Sequence, residues 1–218
     1  MTAVPAGRIL GTPVSMLAPA DGPVQVLIMG EAPGPRGADK SGVPFLGDAA
    51  GRMLYDVLAR MGAVTLPAAV TTLPWDGTVF AAQGIVPLVH GVALGNAFNQ
   101  CPTDNGATFR APTRSELDGP ENRARLTHDL AALRARGLVG VVTLGRVATR
   151  TLDALCAELP MPELARCAVP HPSAQGLLSM APGRGKGARM ADLQEAWMVR
   201  CEDAIRRAGY AASARVTS

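Results

Sequence analysis

Aromatic side chains are scarce in this 218-residue chain, at 4% of the sequence, so a Phe or Trp set in a loop stands out. There are four cysteines: Cys101, Cys156, Cys167 and Cys201. No two form a CxxC pair and their spacing matches no common metal motif. They read as reduced structural thiols rather than a metal centre or a disulfide framework. No apolar run approaches the roughly 20 residues that span a bilayer. The first residues lack the long apolar core of a secretory signal, and the expectation is a cytoplasmic protein. A phosphate loop of the GxxxxGK[ST] type is absent, and so is the dinucleotide fingerprint GxGxxG. There is no internal repeat and no coiled-coil run. Net charge is only +3, which permits nucleic-acid binding without requiring it.

Apolar residues, in contrast, are plentiful. They make up 48% of the chain, enough to bury a core and to exclude disorder by composition. The length suits one domain, residues 1–218, with an irregular lead-in over 1–22. The run Val24-Gln25-Val26-Leu27-Ile28-Met29 has the length and β-branched content of a buried strand. It stops at Gly30-Glu31-Ala32-Pro33-Gly34, where two glycines and a proline force a turn. A polar loop leads to Gly42-Val43-Pro44-Phe45-Leu46-Gly47. Met53, Leu54, Val57 and Leu58 then line one stripe of an amphipathic helix near 48–61. Residues 62–91 hold Trp75, Phe80 and three prolines without a sustained period. They read as a long, partly ordered connection, of the kind that often serves as a lid. Further strands are expected at 92–96, 138–144 and 164–169, and helices at 121–137, 146–159 and 188–208, with loops at 101–120 and 181–187. This alternation predicts a three-layer α/β/α sandwich around a central, mostly parallel four-stranded sheet.

Ligands of open α/β sheets bind beyond the carboxyl ends of the strands. Three such ends carry small or polar residues: 30–34, Asn96, and His171-Pro172-Ser173. A parallel sheet brings them to one edge. Asn96 offers the donor and acceptor pair that suits a nucleobase edge, or else caps a turn. Pro170 and Pro172 stiffen the backbone around His171 and fix the direction of its imidazole; a solitary His is otherwise structural. Ser173 caps the next segment or binds a phosphate. Phe45 is core, or a face on which a flat ring stacks. Glu31 is the only carboxylate inside the first motif, and Asp39 follows in the adjoining loop. Solvated turn residues are the plain alternative for both. Arg184, Lys186 and Arg189 form a cationic cluster that either grips phosphates or faces water.

At these residues the chain resembles the uracil-DNA glycosylase superfamily, most closely its family 4. That family has a GEAPG-type first motif, here 30–34, followed by a G-x-PF-x-G segment, here 42–47. Its strand-end Asn matches Asn96, its third strand and helix start match 141–148, and its HPS motif matches 171–173. The resemblance covers roughly 24–178. It implies hydrolysis of the N-glycosidic bond of uracil in DNA, after the base has left the stack. Phe45 would stack on the flipped uracil and Asn96 would read its Watson–Crick edge. Gly30, Glu31 and Ala32 would hold the base and place the water. His171 would donate a hydrogen bond to uracil O2, and Ser173 would hold a phosphate. Leu177, Leu178 or Met180 would wedge into the vacated stack, and Arg184 and Lys186 would contact DNA.

Family 4 typically carries an iron–sulfur cluster on four cysteines. No cysteine precedes Cys101 here, so no cofactor and no metal is expected. Some superfamily members place an Asp where Ala32 stands, and hypoxanthine or xanthine joins or replaces uracil as the expected base. The expected partner is DNA, and the expected state a monomer away from membranes. Two other classes stay open. One is a catalytically weak module that recognises a damaged base or nucleotide. The other is a nucleotide hydrolase using Glu31 and Asp39 on a metal, for which the sequence offers no clear cluster of ligands.

Overall fold

The computed structural model describes residues 11–104, 109–185 and 187–212. Its centre is β1 (Val24–Gly30), apolar on both faces and buried along nearly its whole length. That is the pattern of a parallel strand covered on both sides. A single-turn helix α1 (Ala38–Ser41) and the longer α2 (Ala49–Arg60) follow. Asp48 starts α2 by accepting the N–H of Gly51 on its carboxylate, which satisfies one of the first turn's orphan donors. The α2 stripe predicted from the sequence is the buried one, extended by Tyr55.

The connection 62–91 is ordered rather than loose. It contains β2 (Val64–Thr65), a 3-10 turn over Ala68–Thr71, α3 (Gly77–Ala82) and β3 (Leu88–Val89). β2 and β3 pair antiparallel as a small second sheet. Phe80 is fully buried in the main core. Trp75 stacks edge-on against it at 5.2 Å and donates its indole N–H to the Asp48 carbonyl at 2.8 Å. The segment is therefore a buttress behind the Phe45 loop. Its elements are too short to carry a readable hydrophobic period.

The chain continues through β4 (Gly91–Asn96), α4 (Arg114–Asp118), α5 (Pro120–Ala135), β5 (Gly140–Leu144) and α6 (Arg146–Glu158). It ends with β6 (Ala165–Val169), α7 (Ala174–Leu178), a 3-10 turn over Pro182–Gly185 and α8 (Met190–Arg207). The main sheet has the order β4-β1-β5-β6, and every pair in it is parallel. Val26 and Ile28 point to a core shared with α2 and Trp197 of α8. Leu27 and Met29, alternating with them, point to a second core with α5 and α6. This two-residue alternation gives the three layers of the expected α/β/α sandwich. Gly30 pairs with Asn96, and Leu144 with Val169, so the carboxyl ends of all four strands share one edge. Among the described residues no helix is long and apolar enough to cross a membrane.

Candidate active site

Asn96 ends β4 beside Gly30. Its side chain is 5% exposed, and neither the amide oxygen nor the amide nitrogen has a hydrogen-bond partner. An unsatisfied buried polar group costs about 1–3 kcal/mol. Against the same spot lies the ring of Phe45. A Cβ at Gly30 would fall 2.6 Å from Asn96 Oδ1 and 2.6 Å from Phe45 Cε1, so only glycine fits there. Phe45 itself has φ +62°, the only positive φ of a non-glycine among the described residues. That conformation costs a side-chain-bearing residue about 1–2 kcal/mol. Its neighbours hold it in place. Tyr55 donates its buried hydroxyl to the Pro44 carbonyl at 2.9 Å, and Ser41 donates to the Leu46 carbonyl at 2.8 Å. Burial raises the Tyr55 phenol above its ordinary range, so it stays a donor.

His171 follows β6. Burial pushes its pKa below the ordinary value, against a smaller upward pull from Asp48, so the imidazole is neutral at neutral pH. Its Nδ1 accepts the backbone N–H of Ser173 at 3.2 Å. The ring proton is then on Nε2, available as a donor. Trp197 fixes the loop by donating its indole N–H to the Pro170 carbonyl at 2.7 Å. Two glycines let the loop close. A Cβ at Gly176 would fall 1.9 Å from the His171 carbonyl oxygen, and one at Gly145 would fall 3.1 Å from His171 Cβ. Ser173 caps α7 by accepting the N–H of Gly176 at 3.3 Å. The cap uses a lone pair of the hydroxyl and leaves its proton for another acceptor.

A cleft of about 850 Å³ runs along the strand ends. Its wall includes Glu31 and Ala32 beyond β1, Cys101 beyond β4, Gly145 beyond β5, and His171 and Ser173 beyond β6. Asn96 and Phe45 are not on this wall, and the Phe45 ring packs over Gly30 at the β4–β1 side. Glu31 is half-buried, and desolvation raises its carboxyl above the usual range. Burial, and then the nearby Asp39, push the Cys101 thiol up to about 11, so it carries no reactive thiolate at neutral pH.

Three expectations are corrected. Leu177 is 2% exposed within the core that holds Trp197, so it cannot leave to wedge DNA without opening that core. Leu178 and Met180 are half-buried against the same cluster. Arg189 pairs with Asp192 at 2.9 Å instead of joining a cationic cluster. Asp39 is 1% exposed and accepts the Gly11 N–H at 2.9 Å, so it is not a solvated turn residue. Lys186 lies outside the described residues, as does the side chain of Arg184. Among the described residues no group of three or more His, Cys, Asp or Glu is placed to hold a metal. The residues present do not fit an iron–sulfur cluster either. Cys101 is the one cysteine on the cleft wall, and the other three sit in α6, β6 and α8.

Sequence reasoning missed the brace behind Asn96. Arg125 Nη2 donates to the Asn96 carbonyl at 3.1 Å and to the Ala97 carbonyl at 2.9 Å. Asn122 Nδ2 donates to the Ala97 carbonyl at 2.9 Å. The available signal was Asn122 standing one turn before Leu126, on the buried stripe of α5.

The family model of the uracil DNA glycosylase superfamily matches residues 19–197. A type-5 uracil-DNA glycosylase of Thermus thermophilus is 32% identical over 163 residues, 75% of this chain and 61% of that protein. The match therefore spans less than two thirds of that relative. Among solved structures, wild-type SMUG2 of Pedobacter heparinus aligns over 91% of each chain at 11% identity, with a TM-score of 0.49.

Proposed function

This chain belongs to the uracil DNA glycosylase superfamily, and on that premise we propose that it hydrolyses the N-glycosidic bond of uracil, or of another deaminated base, flipped out of DNA. The observation that carries the reading is the buried, unpartnered amide of Asn96, set beside the Phe45 ring over a glycine that has no side chain to fill the space. Asn96 Nδ2 donates to uracil O4 and its Oδ1 accepts from N3–H. Cytosine presents a donor and an acceptor in the reverse order, so both contacts oppose it. The ring of Phe45 gives way to the incoming base and supplies a stacking face.

In the chemical step the C1′–N1 bond breaks and its electron pair goes to the base, with charge gathering on O2. Neutral His171 donates from Nε2 to that oxygen. It is oriented in advance by the Ser173 N–H and the Trp197–Pro170 contact. Stabilisation of this preorganised kind is worth about 100- to 1,000-fold. Water bonds to C1′ and gives its proton to Glu31, the half-buried carboxylate on the cleft wall, whose desolvation makes it the stronger base.

The test uses end-labelled oligonucleotides, each with one uracil, hypoxanthine or xanthine, incubated in EDTA and then treated with alkali. Strand cleavage at uracil is expected, with a loss of about 100- to 1,000-fold in His171→Ala. Tight binding without cleavage of any lesion would instead make the chain a module that recognises damaged bases.

A further inference from the structure

Arginines on this surface are for the most part neutralised by neighbours. On α8, Arg206 pairs with Glu202 and Arg207 with Asp203. Arg189, which starts that helix, pairs with Asp192. Arg200 has no such partner among the described residues. Ala196 and Ala204 stand one turn to either side, and the carboxylate three residues on, Asp203, is taken by Arg207. Arg146 at the start of α6 is in the same position, since the residue one turn on is Arg150, another cation. Both side chains are exposed and both line the cleft. The third arginine on the wall, Arg110, differs. It is held by Asp104 at 2.8 Å and Glu116 at 2.7 Å, so it brings no uncompensated charge.

The cleft is thus polarised across the sheet. Its β1 side carries Glu31, and the wall beyond it carries two unpaired guanidinium groups together with Ser173 and Ser179. Adjacent strands lie about 4.8 Å apart, so β1 is about 5 Å from β5 and roughly 10 Å from β6. We propose that Arg146 and Arg200 grip the DNA backbone, and that the strand carrying the flipped nucleotide crosses the β5–β6 half of the cleft. The inference rests on the glycosylase reading. Guanidinium forks match phosphate oxygens in shape and charge, and a phosphate-bearing strand supplies the counter-charge that the sequence withholds.

The experiment measures the salt dependence of DNA binding by fluorescence anisotropy. The probe is a labelled duplex with one uncleavable 2′-fluoro-2′-deoxyuridine, and the control probe carries thymidine instead. The proteins are wild type, Arg146→Gln, Arg200→Gln and Arg60→Gln. Arg60 is an equally exposed arginine at the end of α2, away from the cleft wall. Each cleft variant is expected to lower the slope of log K against log salt by about 0.9, the value for one lost phosphate contact. Both duplexes should weaken alike. Arg60→Gln should bind as wild type does. Unchanged slopes in both cleft variants overturn the grip and leave the glycosylase reading intact. An equal loss in Arg60→Gln assigns the effect to bulk charge and also overturns it. Displacement of DNA by inorganic phosphate, beyond that of chloride at matched ionic strength, would make the arginines a free-anion site instead. Absence of DNA binding by the wild type overturns both proposals.

Discussion

Asn96 has two buried polar side-chain atoms, neither with a partner. The free protein bears that cost, and the proposed complex repays it. Asn96→Ala separates the two states. Removing the amide takes away an unsatisfied group, so the melting temperature should hold or rise, by up to about 4 °C for a domain of this size. Cleavage of uracil should fall by at least about 100-fold, as two base-edge hydrogen bonds disappear. A drop in melting temperature with cleavage intact would make Asn96 a structural residue. At this scale position was legible in the sequence: Asn96 and His171 were expected at strand ends, and they lie at the end of β4 and just beyond β6. The burial of Leu177 was not legible, because it depends on α8 packing across a single-turn helix, a contact between segments remote in sequence.

Elements set the direction of these side chains. α7 follows the His171 loop so closely that its Gly176 meets the His171 carbonyl oxygen, where a Cβ would have 1.9 Å. Gly176→Ala must move one or the other. A displacement near 1 Å at a catalytic group costs about 100-fold, so cleavage should drop by roughly that factor. The far-ultraviolet circular dichroism and DNA affinity should stay near wild type, since Trp197 and the core beneath are untouched. Retention of full activity would show that His171 is not held by this contact. Long, periodic elements were readable here: α2, α5 and the four strands of the main sheet lie where apolar spacing put them. α4 was not, since five residues carry no stripe. Its Thr113–Glu116 capping box was the one local mark of its start.

Across the whole molecule, the two cores joined by β1 explain why the misread segment 62–91 matters. Phe80 ties it into the core shared by α2, β1 and α8. Gly47 of the Phe45 loop meets Gly77 backbone to backbone, with room for no Cβ between them. Sequence patterns report which face of one element is apolar. They do not report which distant element covers it, so the excursion read as loose. A lid and a buttress respond differently to truncation. Phe80→Ala should cost about 3–5 kcal/mol as a buried aromatic is lost. In a chain of this length that lowers the melting temperature by roughly 10 °C or more. At temperatures well below that melting point, cleavage of uracil should stay within a few-fold of wild type, because the segment contributes no residue to the cleft wall. The opposite pattern, melting unchanged and kcat/KM strongly reduced, would restore the lid. Differential scanning fluorimetry alongside the cleavage assay distinguishes the two, since a buttress acts through the stability of the whole fold and a lid through access to one site.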